Sequence, residues 1–378
     1  MSGRADVAVI GGGILGLAFA WTAARQGRSV VLFERGRIAQ GASVRNFGMV
    51  WPIGQPAGEL HQRSLRSRAL WDEASQSAGI DLDPCGSIHL AYHPDEMAVL
   101  EEFAGRAREL GYACRLGTPE ESVRFCPAAR RAGLLGSLIS ETEACVDPRQ
   151  AIGRLPHWLH ERFGVDLQFG TAVAEVSMPQ VRATDGRTWT VGRTVVCGGA
   201  DLQTLFPEVF VRSGIRLCKL QMMRTAPQPN GFRIGTMVAG GLTLCHYPTF
   251  QVCPSLAALR ARFESTMAEF VGLGIHVMAS QNALGEVVIG DSHEYDDAIE
   301  PFDKTRIDAL ILGHLATMID LPDPAVAARW HGIYAKHPEK PLFVANPQPE
   351  AYVVTAPGGS GMTMSFGHAE AVWNTWTG

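Results

Sequence analysis

Residues 6–35 read DVAVIGGGILGLAFAWTAARQGRSVVLFER, and the reading of this stretch decides the fold. Val7 to Ile10 is a short apolar run suited to a buried strand. Glycines follow at once, the stretch from about Leu15 to Gln26 reads as a helix, and Val30 to Phe33 forms a second apolar run. The order strand, turn, helix, strand is a βαβ unit. Within it Gly11, Gly13 and Gly16 make the spacing G-x-G-x-x-G. The first glycine permits a tight turn, the second lets the backbone approach a pyrophosphate, and the third lets the helix pack on the strand. Phosphates placed there meet the helix N-terminus at Ile14 and Leu15, where backbone N–H groups have no partner within the helix. Glu34, with Arg35 after it, ends the second strand, where a carboxylate accepts hydrogen bonds from ribose hydroxyls and opposes a 2′-phosphate.

Length and composition limit what such a unit can belong to. A chain of 378 residues is longer than a typical domain, so two domains with room for a large ligand are expected. There are 33 Lys and Arg against 38 Asp and Glu, without a long basic run, which argues against a nucleic-acid partner and for a small molecule. Cys85, Cys114, Cys126, Cys145, Cys197, Cys218, Cys245 and Cys253 show neither a CxxC nor a His-rich spacing. They read as buried thiols of a reducing cytoplasm, not as a zinc site or a disulfide frame. The apolar run from Val7 to Trp21 is broken by glycines and lacks a cleavage site, so a soluble protein without a membrane span is expected. Nothing in the sequence sets the oligomeric state.

Past Glu34 the regular winding stops. Residues 41–56, GASVRNFGMVWPIGQP, are too rich in glycine and proline for a helix, yet Phe47, Met49, Val50 and Trp51 call for something bulky over them. A nicotinamide domain would continue with further βαβ repeats, whereas here a loop leads into a charged helix at about 59–77. That favours a cofactor reaching away from the first unit with the loop laid along it.

The glycine turn with Glu34 combines with GASVRNFGM (41–49), VDPRQAIGRL (146–155), GTAVAEV (170–176), TVVCGGA (194–200), WHGIYAKHPEKPLF (330–343) and APGGSGMTMSFG (356–367). In this order the segments resemble the D-amino-acid oxidase superfamily of flavoproteins, the group that contains glycine oxidase and sarcosine oxidase. The resemblance implies an α/β protein: an FAD-binding Rossmann-like domain of the glutathione-reductase type plus an α+β substrate domain built on a mixed, largely antiparallel sheet. It divides the chain into FAD-binding segments 1–85, 146–213 and 326–378 and substrate-binding segments 86–145 and 214–325. Asp147 and Pro148 suit a helix start, as cap and first-turn proline. By resemblance Val173 passes the adenine, and Gly198 and Gly199, after a buried strand, let the backbone run close to FAD. Ala42 and Ser43 fall near its phosphates, and Arg45, Asn46, Gly48 and Met49 beside its ring. Gly332 is a further expected FAD contact. Gly358, Gly359, Ser360, Gly361, Met362 and Thr363 present backbone N–H groups and a helix N-terminus to the flavin N1 and C2 carbonyl edge, where reduction places negative charge.

The superfamily moves hydride from a carbon beside nitrogen to flavin N5, and water hydrolyses the resulting imine; this chemistry requires no metal. Two departures narrow the substrate. Where relatives commonly place an arginine for a carboxylate this chain has Tyr334, followed by Lys336 and His337. Where monomeric sarcosine oxidases carry an FAD-linking cysteine it has none, so non-covalent FAD is expected. Arg45, Lys336 and His337 could cradle a dianion. The runs GASVRNFGMVWPIGQPAGEL and GGLTLCHYPTFQVCPS (240–255) are similar to a branch associated with phosphonate breakdown, which implies 2-aminoethylphosphonate or its N-methyl derivative as substrate and phosphonoacetaldehyde as product. An oxidase of glycine, sarcosine or another small amino acid is the alternative. His246, Lys336 and Tyr334 are the candidate catalytic groups. Arg45, Asn46, Trp51, Tyr247 and His337 are the candidate substrate contacts. His246 and Tyr247 are expected on a strand, one of them facing the flavin, with a merely structural histidine as the other possibility. His293, Glu294, His61, Arg63 and Arg66 are weaker candidates. Lys219 or Lys336 would assist oxygen, should oxygen be the electron acceptor.

Overall fold

The computed structural model describes residues 2–377. Strand β1 (Ser2–Ile10), helix α1 (Ile14–Arg25) and strand β2 (Val30–Glu34) form the expected unit, with β1 and β2 parallel from Val7↔Val30 to Ile10↔Phe33. Strand Thr188–Val196 lies parallel to β1 on its other side, and Asp166–Phe169 is parallel to β2. The C-terminal half of Thr188–Val196 also pairs in parallel with Ala351–Thr355, while its N-terminal half meets the antiparallel hairpin of Val173–Ser177 and Gln180–Ala183. One side of this sheet is covered by α1, whose residues from Ile14 to Ala24 are nearly all buried, as parallel sheets require. Behind α1 the C-terminal helix Gly361–Thr377 brings in Phe366, edge-on to both Trp21 at 5.1 Å and Trp71 at 4.8 Å. Such offset aromatic contacts add to the burial of each ring.

The second layer is a mixed sheet of nine strands among the described residues, in which only Met237–Ala239 and Ser87–Ala91 run parallel. Its spine is Arg216–Pro227, paired antiparallel with Val326–Lys336 from Arg216↔Lys336 to Thr225↔Val326. Strand Val326–Lys336, expected within the FAD-binding part, is thus a full member of the second sheet. It leaves that sheet only beyond Lys336, where Phe343–Gln348 and Ala351–Thr355 return to the first. Helices Pro94–Leu110, Leu256–Thr266 and Thr305–Met318 bury Val99, Phe103, Leu259, Phe263, Ile307 and Ile311 in its cores. A small sheet of Met49–Val50, Ala144–Val146 and Leu82–Asp83 links the layers. Among the described residues no helix is long and apolar enough to cross a membrane.

Candidate functional site

One cavity of about 1200 Å³ runs from the glycine turn along the 41–51 segment and ends between the two sheets. This is at the upper end of ligand pockets, with room for a dinucleotide and a small second molecule. At its start Gly11 has φ +109°, and a Cβ there would lie 2.2 Å from the Cys197 carbonyl oxygen. A Cβ on Gly16 would lie 1.9 Å from the Gly11 carbonyl oxygen, so strand and helix meet backbone to backbone. Gly13, Ile14 and Leu15 line the opening, and the first turn of α1 holds no acidic residue that would repel a diphosphate. Ser43 Oγ accepts from the Ile14 N–H at 3.0 Å, which ties the 41–51 loop to the helix start. Glu34 lines the cavity beyond the turn. Its Oε2 accepts from Gly12 N–H at 2.9 Å and its Oε1 from Gly36 N–H at 2.8 Å, so the carboxylate is fixed while lone pairs remain for hydroxyl donors. Arg35 stands at the rim, ion-paired with Asp201 at 2.9 Å. Ala42, Val173, Gly198 and Gly199 complete this end of the lining.

At the other end Arg45, Asn46, Met49, Trp51, Tyr247, Gly332 and Tyr334 face the cavity, together with Gly358, Gly359, Ser360, Gly361, Met362 and Thr363. Thr363 Oγ1 accepts from Trp51 N–H at 3.0 Å and Gln55 donates to Ser360 Oγ at 3.1 Å, so the early loop and the C-terminal helix start hold one another. Trp51 lies against Tyr247, ring centroids 6.3 Å apart.

Several expected site residues are occupied elsewhere. Gly48 does not line the cavity: it has φ +74°, and a Cβ would sit 1.8 Å from the Val146 carbonyl oxygen, so its bareness serves strand packing. The Asn46 side chain staples its own loop, donating to the Ala42 and Ser43 carbonyls and accepting from Gly48 N–H. Arg45 donates to the His331 carbonyl at 3.2 Å. His337 follows the end of strand Val326–Lys336, and its Nδ1 accepts from the Glu339 and Lys340 N–H groups, so it caps a turn and leaves the expected cradle. Lys219 is buried and holds the 300–303 segment through the Glu300 and Phe302 carbonyls and Asp303, which removes it from the cavity. His61, Arg63 and Arg66 bond to Pro52, Glu59 and Glu370 respectively.

His246 ends the short helix Gly241–His246, where a strand was expected, and it does not line the main cavity. Solvent reaches its ring, yet protein surrounds it, and it packs on His276 (centroids 3.8 Å apart) and His293 (4.6 Å). Burial, then His276, His293 and the Lys336 ammonium, hold its imidazole well below the usual range. Burial likewise lowers His276, and brings His293 down to about 4. Lys336 donates to Tyr295 Oη at 3.1 Å and lies over that ring at 5.3 Å. Nothing in the sequence announced His276, Asp291 or Tyr295: they stand in no motif, and only the folding of the second sheet joins them to His246.

The pattern of the FAD dependent oxidoreductase family designated DAO matches residues 6–374. The chain belongs to that family. Its cofactor is FAD, and the bare glycine turn, the acid-free helix start and the fixed Glu34 carboxylate fit that group. Glycine oxidase of Geobacillus kaustophilus (strain HTA426) is 27% identical over 211 residues, 53% of this chain and 56% of that protein. An opine oxidase component of Rhizobium meliloti is 29% identical over 111 residues, 26% of this chain and 28% of that one. These matches span about half or less of the curated relatives' own length. The crystal structure of the Geobacillus kaustophilus glycine oxidase superposes with a TM-score of 0.77 at 20% identity over 98% of this chain and 94% of that one. L-proline dehydrogenase from P. horikoshii gives the same TM-score and identity over 100% and 94%. The fold is therefore that of these flavoproteins, with a mixed second sheet as expected.

Proposed function

We propose that the protein oxidises a small primary or secondary amine that carries an anionic end, with 2-aminoethylphosphonate or its N-methyl derivative as the best-matched substrate. Lys336 carries this reading. Its position shares a strand face with Gly332 and Tyr334, which line the inner end of the cavity; the ammonium itself stands outside that lining, on Tyr295, and a tyrosine stands in place of a carboxylate-gripping arginine. FAD, when bound, would supply the acceptor for the hydride, with its two electrons, that leaves the carbon next to nitrogen. The residues around it would keep the amine neutral. Burial and then Asp291 push the Tyr247 hydroxyl up, and burial with Cys218 and Tyr295 pushes Tyr334 up, so neither offers a phenolate to an ammonium. The Lys336 ammonium opposes a second cation nearby. The C=N bond formed by the nitrogen lone pair then takes up water, releasing phosphonoacetaldehyde and ammonia or methylamine. The absence of a thiol on strand Val326–Lys336 supports non-covalent FAD, and eight free cysteines support a cytoplasmic setting. Oxygen is the proposed electron acceptor.

The second reading, an oxidase of glycine, sarcosine or another small amino acid, is favoured by the similarity to glycine oxidase and by Arg45 on the cavity wall. Anaerobic mixing with a panel of amines separates the two: aminophosphonates should bleach the visible flavin band at lower concentration than sarcosine or glycine. Equal turnover of sarcosine and N-methyl-2-aminoethylphosphonate would sink the phosphonate reading, and an unbleached flavin with every amine would sink both.

A further inference from the structure

We infer that His246, His276 and His293, with Asp291, form a binding site for one divalent transition-metal ion of the zinc class. The site goes beyond the proposed amine oxidation and does not depend on it. Three separate segments are brought to it. His246 ends its short helix, His276 and Asp291 exchange backbone hydrogen bonds at 3.2 and 3.1 Å, and His293 N–H donates to the Leu273 carbonyl at 3.1 Å. One ligand nitrogen from each imidazole lies within 4.8 Å of the other two.

The spacing is that of ligands waiting for a common ion. Asp291 Oδ1 is 3.2 Å from His276 Nε2, and Oδ2 is 3.8 Å from His293 Nε2, yet Oδ1 is fully buried and makes no hydrogen bond. A buried carboxyl oxygen left without a partner is costly. Ligand atoms about 2.1 Å from zinc lie about 3.0 to 3.8 Å apart as the angle at the metal opens from about 90° to about 130°. The two Asp291 contacts, one from each carboxylate oxygen, fall in that interval, and His246 is the exposed member of the set. One outer contact is in place, at His293. His293 Nδ1 lies 3.1 Å from the Gly274 carbonyl, which only accepts, so the proton sits on Nδ1 and the Nε2 lone pair is free. Nitrogen and carboxylate donors suit zinc, nickel or cobalt better than magnesium.

The test is metal analysis of the flavin-loaded protein, first stripped with a chelator and then titrated with zinc, nickel and cobalt while heat is recorded. Close to one equivalent should bind to the wild type. His276→Ala and Asp291→Asn should weaken binding by at least about tenfold. His246→Gln, at the solvent edge, should do the same without disturbing the core; flavin content and unfolding temperature show that each variant is folded. Failure of all three metals to bind, or equal binding in folded His246→Gln and His276→Ala, would overturn the site. Because the readout is heat and metal content, it stands or falls separately from the choice of amine.

Discussion

At Gly11 and Gly16 an added Cβ would land 2.2 and 1.9 Å from backbone carbonyl oxygens, whereas at Tyr334, Trp51 and Tyr247 the wall of the cavity is side chain. The end that takes the dinucleotide is shaped by what the chain leaves out, so its backbone N–H groups come close. The end proposed for the substrate is shaped by what the chain puts in. Substitution should therefore fail in different ways: steric and total at the first end, chemical and graded at the second.

The first end should break most completely. Gly11→Val demands a left-handed φ from a β-branched residue and drives a methyl into Cys197, and Gly16→Val drives one into Gly11. Either variant is expected to be purified colourless, with FAD affinity reduced at least about 100-fold, equivalent to about 2.7 kcal/mol. Flavin absorbance per chain checks this; a yellow, stoichiometrically loaded Gly11→Val would show that the backbone contact is not what holds the cofactor.

This contrast also governs what could be read in advance. A glycine turn acts through local backbone, so thirty consecutive residues carry the βαβ unit, Glu34 and the helix N-terminus. The capped helix after Asp147 is legible for the same reason, since its side chain accepts from Arg149 N–H at 2.9 Å. His276, Asp291 and Tyr295 act through side chains gathered from different strands, and no spacing in one segment predicts their meeting. His337 misleads because the strand ends at Lys336: next to it in sequence, His337 belongs to the following turn, from whose Glu339 and Lys340 N–H groups its ring accepts. Cys245 and Tyr247 look like strand residues, which suggests a strand at His246, while the glycines at 240 and 241 start a helical turn instead.

Acid should next reveal the substrate side. His89, on strand Ser87–Ala91 beneath Trp51, is almost fully buried without a hydrogen-bond partner, and burial lowers it to about 3. The unfolded chain takes up this proton below about pH 6.5 while the native state does not, so stability is lost as pH falls from about 6.5 toward 3. By pH 4 the loss is about 3 kcal/mol from this residue. His246, His276 and His293 act in the same direction. Asp291, whose carboxyl burial raises well above its usual range, acts oppositely, favouring the folded state at low pH and losing that favour as pH rises. His89→Leu should flatten the unfolding temperature between pH 6.5 and pH 4 relative to wild type, and parallel curves would remove His89 from the account.

A graded chemical effect is expected at Lys336. Removing the ammonium with Lys336→Ala should lower kcat/KM for 2-aminoethylphosphonate about 100-fold, roughly the worth of a charge-assisted hydrogen-bonded contact at about 2 to 3 kcal/mol. A neutral alkylamine should change by no more than about threefold, and Lys336→Arg should restore part of the loss. Equal losses for both amines would mean that Lys336 serves the structure through Tyr295 and does not read the substrate's charge.

The smallest effect tests the joint between the two ends. Asp147 caps helix Pro148–Phe163 on the cofactor side, while Arg149, paired to it, also reaches Glu286 of the second sheet at 2.6 Å, and Asn282 donates to Glu286 at 2.8 Å. Losing the cap should cost about 1 kcal/mol, and the half-exposed Arg149 pairs add little to that. Asp147→Ala is therefore expected to lower the unfolding temperature by about 2 °C, leaving flavin content and Lys336-dependent selectivity unchanged. A change in selectivity would show that the helix start positions the substrate sheet, and the division between a backbone end and a side-chain end would then have to be drawn elsewhere.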